Sequence, residues 1–425
     1  MSTLDKQTYE MHRPLTMVYQ NIDIVAEGST DRTALVLIGS QGAIQQNASG
    51  AENPGYYTKN PGLILIRSQA DINKKLRNAA SDTATPPEGS NNVLAECAEI
   101  ALIAGGGEPF YCITTTVNGK DEEEGTRDGW LEAEKILKNN DRTMFVCPLD
   151  DTKAAAIAKT CMELSSAENQ KWKRCYIGLA SDTFTVSNGS VTGAVTSLTA
   201  KEKQRTCFIW SPGAEIVTVD DFGNTKTEAL THHELASGVA ALRASVLPQQ
   251  GLSRRTLPWV YTVPKAYTNF DTDSLNEIAV KGVFIVTQDD PDSDVYIRHQ
   301  LTNDMSHGIL YWEDSVGVNV DTICYGLKDI VKSYIGQRNN TQETLVEIKN
   351  RVTDYLLSLT STGVSIDARR IGPQIKEIDL NSLIVKLDDT FKDRVLISVD
   401  IVVPIPLNQV HVHLNAFASF AEASE

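Results

Sequence analysis

The sequence predicts an α/β fold, a largely parallel sheet layered with helices, and it carries a detached strand pattern at each end. Three observations predict this. From Ala34 onward, short apolar or β-branched runs alternate with helical stretches, as in successive strand–helix–strand units. Near the C-terminus a period-two alternation is broken by Pro404-Ile405-Pro406 and then resumes out of phase. Near the N-terminus the polar linker AEGSTDRT separates a strand-like segment, LTMVYQNIDIV (15–25), from everything that follows.

The elements follow in order. In the N-terminal segment Met17 and Tyr19 precede a phase slip at Asn21, and Ile22 and Ile24 follow it. ALVLI (34–38) and LILI (63–66) are strand-length runs. Val93, Leu94, Cys97, Ala98, Ala101 and Leu102 recur at helical spacing ahead of a glycine stop. FYCITTTV (110–117) is expected as strand, WLEAEKIL (130–137) as helix, TMFVCPL (143–149) as strand and residues 152–167 as helix. RCYIGLA (174–180) and TCFIW (206–210) are expected as strands and residues 233–247 as helix, while the small, polar residues 185–200 are expected as a surface loop. Two further strands, 282–287 and 295–302, lie in an acidic stretch, 268–321.

Two helices come next. The first, from Asp321 to Ile335, places Val320, Ile323, Leu327, Ile330, Val331 and Tyr334 on one face. The second starts at Asn340, with Glu343 reaching back in a capping box, and aligns Leu345, Ile348, Val352, Leu356 and Leu359. Its Lys349, Arg351 and Asp354 are expected in solvent. The closing strand turns Val395, Ile397, Val399, Ile401 and Val403 one way. After the P-x-P, Val410, Val412 and Leu414 alternate with Gln409, His411, His413 and Asn415. Two prolines fix φ twice and remove two backbone donors, which favours an extended connector over a tight hairpin. A strand held off the body in this way is suited to pairing with another subunit's sheet.

Composition narrows the function. At 425 residues the expectation is two or three domains. The net charge of −16 argues against nucleic acid as principal partner, since a phosphate backbone would be repelled. No apolar run approaches the ~20 residues of a membrane span, and residues 1–11 lack the apolar core of a signal peptide, so folding in a cytoplasm is expected. The seven cysteines include no C-x-x-C pair, and Cys112, Cys147, Cys175 and Cys207 fall inside expected strands as small buried hydrophobes. The odd count leaves room for an intermolecular disulfide.

Local motifs for chemistry are weak. Gly105-Gly106-Gly107 leaves a helix and enters a strand, the reverse of a dinucleotide loop, and reads as helix termination. His232-His233-Glu234 lacks the i, i+4 histidine pair of H-E-x-x-H and reads as a surface helix start. Asp289-Asp290-Pro291-Asp292-Ser293-Asp294 lacks the glycine and glutamate of a calcium loop and reads as a charged turn. No catalytic residue, cofactor or metal is expected from these patterns.

Several segments together resemble the contractile tail sheath family of phage tails, R-type pyocins and related injection machines. They are ALVLIGSQ after a detached strand, IALIAGGGEPFYCITTT, LASGVAALRASV before a proline-containing loop and, most specifically, residues 282–416: GVFIVTQ, VYIRHQLTND, DTICYGLKDIVKSYIGQRNN, LVEIKNRVTDYLLSLTSTGVS and VLISVDIVVPIPLNQVHVHLNAF. The chain departs from the family at LPQQGLSRRTLPWV after Val246.

The resemblance implies four parts: an N-terminal arm and linker (1–33), an outer α/β domain (34–265), an inner α+β sheath domain (266–403) and a C-terminal arm (404–425). It implies arms exchanged between subunits through Met17, Tyr19, Ile22, Ile24, Val410, Val412 and Leu414. The implied partners are further copies of the chain in stacked hexameric rings, a tail tube protein, and baseplate and terminator proteins, in a virion tail assembled in a host cytoplasm. Family members contact the tube through C-terminal helices, which makes Lys328, Lys332 and Arg338 tube-facing candidates. An enzyme or nucleotide-binding protein on a doubly wound sheet is the alternative, and another self-assembling tube or capsid component is a second.

Overall fold

The computed structural model describes residues 35–41, 62–77, 92–115, 129–141, 143–166, 169–187, 189–219, 225–334, 337–361, 365–366, 369–370, 372–387 and 395–406. Its centre is one eight-stranded sheet. The strands are β1 (Leu35–Gly39), β2 (Ile64–Ile66), β3 (Phe110–Thr114), β4 (Phe145–Pro148), β5 (Arg174–Gly178), β8 (Thr206–Trp210), β11 (Val283–Thr287) and β12 (Tyr296–His299), in the order β12-β11-β8-β5-β4-β1-β3-β2. Six are parallel, and β2 and β12 close the two edges antiparallel. Interior parallel strands are covered on both faces, so they are written as unbroken apolar runs. Leu35, Leu37, Cys147, Tyr176, Cys207, Ile209 and Phe284 face one side, and Val36, Ile38, Val146, Cys175, Ile177 and Phe208 the other.

The first face is covered by α2 (Val93–Ala104) and α6 (His232–Ser245), the second by α3 (Gly129–Asn139) and α4 (Asp151–Leu164); a short α1 (Gln69–Lys75) follows β2. α6 starts from a capping box in which Thr231 and Glu234 satisfy each other's backbone amides. It is buried on almost every side because its residues are small. A Cβ on Gly238 would lie 2.4 Å from the Trp259 ring, so glycine is what lets that indole close over the helix. Gly106 and Gly107, at φ 67° and 85°, carry the chain out of α2 as expected of a helix stop. Cys112, Cys147, Cys175 and Cys207 are buried as expected, and among the seven only Cys324 is not.

Residues 185–200 are not the expected plain loop. They contain a hairpin, β6 (Thr185–Ser187) and β7 (Ser190–Thr192), turned at Gly189 with φ 73°. Its Val191 is buried beside Trp210, Val283 and Ile285 and beside Leu275 and Ile278 of α8 (Thr272–Val280). The short helices α5 (Ala200–Lys203) and α7 (Pro264–Thr268) precede β8 and α8, and a second exposed hairpin joins β9 (Glu215–Val219) to β10 (Thr225–Ala229). The expected boundary at 265/266 falls inside the sheet, since β11 pairs with β8 and β12 with β11.

The remaining elements form a smaller layer. A short α9 (Ile309–Trp312) leads into α10 (Asp314–Lys332), and α11 (Gln342–Thr360) follows. β13 (Ser365–Ile366) and β14 (Arg369–Arg370) make a minimal pair, and β15 (Glu377–Leu387) pairs antiparallel with β16 (Val395–Val402). Ile348, Val352 and Leu356 of α11 pack on Ile323, Ile375 and Leu383, with Ile397, Val399, Ile401 and Val403 against them. Two corrections apply. α10 begins at Asp314 rather than Asp321 and leaves Val320 on its outer side, and α11 is capped by the Thr341 side chain on Thr344 N–H rather than by an Asn340 box.

The body also has an acid-sensitive position. Burial, and then the neighbouring Arg298 and Arg254, push the His299 imidazole on β12 down to about 3. The folded state therefore holds it neutral, while the unfolded chain takes up a proton near 6.5. Its contribution is fully present above about pH 6.5 and is lost at about 1.4 kcal/mol per pH unit as pH falls towards the folded value. Urea midpoints are expected to drop between about pH 6.5 and pH 5, and His299→Gln should flatten that slope. An equal slope in the variant would place the sensitivity elsewhere.

Candidate assembly site

The densest concentration of buried charge joins α10 to the sheet. Arg174 and Tyr176 project from β5, and Arg205 stands just before β8. Arg174 Nε donates to Asp321 Oδ2 at 2.8 Å and Nη1 to Asp314 Oδ1 at 3.3 Å. Arg205 binds Asp321 with both terminal nitrogens at 2.9 Å, and the Tyr176 hydroxyl donates to Asp314 Oδ2 at 2.6 Å. The Cys207 thiol donates to Asp314 Oδ1 at 3.4 Å. Asp314 and Asp321 are 0% and 2% exposed, so each carboxylate depends on these partners in place of water. Burial alone would lower Arg174, but the facing carboxylates of Asp321 and Asp314 outweigh it and hold the guanidinium charged. Burial and then Asp314 push the Tyr176 hydroxyl and the Cys207 thiol up, keeping both protonated as donors.

Backbone choices make the joint possible. A Cβ on Gly317 would sit 1.7 Å from Arg174 Nη2, so the arginine reaches the helix only because that position is bare. Gly326 plays the same part for α11, whose Tyr355 hydroxyl would lie 2.0 Å from an added Cβ. Further along, the Tyr325 hydroxyl donates to Trp172 O and its ring meets the Trp172 indole edge-on at 5.0 Å. Lys328 Nζ donates to both Asp141 carboxylate oxygens at 3.2 and 3.0 Å and to Gln170 O at 2.9 Å. Lys328 is therefore engaged within the chain, whereas Lys332 and Arg338 are exposed.

Sequence reasoning missed Asp314 and Asp321 as structural groups, although a signal was available. Asp314, Val318, Asp321 and Tyr325 follow one stripe at i, i+4, i+7 and i+11, and all four are buried. Two carboxylates in an apolar stripe call for cationic partners inside the fold.

Beside the joint lies a groove of about 330 Å³ lined by Leu310, Tyr311, Val316, Val320, Ile401 and Val403, with Arg205 and Asp321 at its polar end. It opens next to β16. Among the described residues β15 and β16 pair only with each other. Leu380, Ile384, Leu396 and Val402 are exposed on this sheet, and Ile405 is exposed on the connector beyond it. The connector at Pro406 leaves the sheet against Gly251, within the 247–260 loop. The expected arm residues Met17, Tyr19, Ile22, Ile24, Val410, Val412 and Leu414 lie outside the described residues. Among the described residues no helix is long and apolar enough to cross a membrane.

No family model matches the chain, and neither does any curated protein. Solved structures match over nearly its whole length. A chain of the anti-feeding prophage baseplate aligns with TM-score 0.58 at 12% identity, covering 95% of this chain and 99% of that one. A sheath tail protein from Desulfitobacterium hafniense gives 0.55 at 12% identity, covering 91% and 100%. The sheath complex of an extracellular contractile injection system, PVC, in its contracted state gives 0.55 at 13% identity, covering 96% and 98%. The mixed sheet, its helical layers and the C-terminal α10–β16 layer together constitute the fold of contractile-system sheath proteins.

Proposed function

We propose that this chain is the subunit of a contractile sheath, which polymerises around a tail tube and drives it through a target envelope by shortening. The fold likeness over more than nine-tenths of the chain, to sheath proteins that include one from a contracted complex, carries this reading. The β15–β16 sheet supports it, because a sheet edge that no other described strand pairs, with apolar side chains exposed beside it, suits a strand from a neighbour. In this reading the arms at 1–33 and 404–425 complete such sheets across subunits, and the chain from α10 onward forms the inner layer. The eight-stranded sheet is then the outer body. The partners are further copies in stacked hexameric rings, a tube protein, and baseplate and terminator components. The setting is the tail of a phage or of a related injection particle, assembled in the producing cell. The role is mechanical rather than enzymatic. Negative-stain microscopy of the purified full chain tests this: long ringed tubes are the expected result, and discrete globular particles at all concentrations would sink it.

Tube contact is assigned to the exposed end of α10 and the residues beyond it. Because Lys328 already neutralises Asp141, Lys328→Glu would disturb the subunit as well as any interface. Lys332→Glu with Arg338→Glu is the cleaner change. Single exposed ion pairs contribute ~0–1 kcal/mol, but a symmetric array repeats them on every subunit. Co-assembly on tubes is expected to weaken, most clearly at low salt, while sheath polymerisation without tube persists. Wild-type yield on tubes at low salt would move the contact elsewhere.

A further inference from the structure

A second cluster lies at the opposite, C-terminal edge of the parallel strands. Asp151 is the first residue of α4 and His232 and His233 open α6, so two helices from opposite faces of the sheet bring their N-termini together over β4 and β5. His232 Nε2 lies 3.0 and 3.2 Å from the Asp151 carboxylate oxygens, and His233 Nε2 lies 3.9 Å from Oδ1. One ring nitrogen from each histidine and a carboxylate oxygen all fall within 4.8 Å of one another. The placement is rigid: a Cβ on Gly178, at the end of β5, would lie 2.2 Å from His232 O, so strand and helix start are in backbone contact.

We propose that Asp151, His232 and His233 bind one divalent transition-metal ion of the zinc type. Two imidazoles and one carboxylate are a borderline nitrogen and oxygen set that suits zinc better than calcium or magnesium, which take oxygen ligands. Donors on a sphere of about 2.1 Å radius sit three to four ångströms apart, and the observed spacings need only small side-chain rotations to reach that. Both histidines line a pocket of about 250 Å³.

Two buried polar atoms at this pocket have no hydrogen-bond partner, His233 Nδ1 and the Oγ of Ser211, a residue only 3% exposed. Unpartnered polar atoms beside a polar cavity mark a place that a ligand shell completes. The positive ends of two helix dipoles oppose a cation here, but the Asp151 carboxylate, with those of Asp150 and Glu234 close by in the two helix starts, counters them. The local sequence hid the site because its third donor lies 81 residues from the first histidine.

The test is calorimetric titration of the chelator-treated full chain with zinc chloride at about pH 7.5. One ion per chain is expected, with at least about tenfold weaker binding in His232→Gln and in Asp151→Asn. Both positions lie at the surface edge of the cluster, so these variants should fold even if a His233 variant does not. Cobalt in place of zinc should give visible bands without the sulfur charge-transfer absorption that cysteine ligation would produce. Zinc should raise the wild-type melting temperature more than that of either variant at the same concentration. Absence of binding at millimolar zinc, binding unchanged in both variants, or a sulfur band with cobalt would each overturn the site.

Discussion

Deleting residues 408–425 is expected to yield a soluble, folded subunit that no longer forms tubes. β16 and the Val403–Pro406 stretch, which hold Val403 and Ile401 against α11, remain in the truncated chain, so the C-terminal core keeps its packing. What goes is the segment with alternating Val410, Val412 and Leu414, the strand proposed to add to a neighbour's β15 or β16 edge. Each main-chain hydrogen bond of such an addition is worth about 1 kcal/mol net, and the loss recurs at every subunit, so assembly should fall below detection rather than decline slightly. Deleting residues 1–25 should act in the same way from the other end. Sedimentation and negative-stain images of each truncation decide the matter. Normal tubes from both would show that the arms do not hold the lattice together.

Asp321→Asn is expected to be the most damaging single isosteric change in the subunit. It removes the charge that two guanidinium groups share, leaving Arg205 without a carboxylate and Arg174, only 4% exposed, with Asp314 alone. Breaking a buried pair from one side typically costs about 3–5 kcal/mol, a large share of the 5–15 kcal/mol by which domains are stable. Gly317→Ala approaches the same network from the helix. The Arg174 side chain would have to withdraw from the added methyl, and its bonds to Asp314 and Asp321 would lengthen or break. Urea unfolding of dilute subunit should show both variants well below wild type, with Asp321→Asn the lower. Unchanged midpoints would mean that the joint adds nothing to stability.

Much of the body was legible in the sequence because of how it is buried. β1, β3, β4, β5, β8 and β11 are covered on both faces and so appear as continuous apolar runs, and α11 announces itself by its period, although its cap is Thr341 rather than Asn340. What was not legible lacks that contrast. The hairpins β6–β7 and β9–β10 are short and mostly exposed, with little alternation to detect. β15 is interrupted, since Asp379 faces Asp400 while Ile384 faces Ser398, and Ser382 Oγ accepts the Asp400 N–H across the irregularity. Asp314 and Asp321 were hidden by an acidic neighbourhood that resembles a solvated surface. Lys328 looked exposed by helical spacing because its partner, Asp141, is distant in sequence. The sheet itself crosses residue 265, where the resemblance had implied a division between domains.

α10 has a further consequence. At 1.5 Å per residue its 19 residues span about 28 Å. Val318 packs in the sheet's core and Ile323 in the cluster with α11 and β16, so one unbroken rod is mortared into both halves of the subunit. A load arriving at β16 is therefore passed to the sheet with no joint along the way at which to dissipate it. Sliding the halves apart would mean drawing two aspartates off two arginines in a dry interior. In the sheath proposed above, such a subunit would act as a brick, and the lattice would change height by movement at the seams, where the proposed arm leaves each brick through Pro404-Ile405-Pro406.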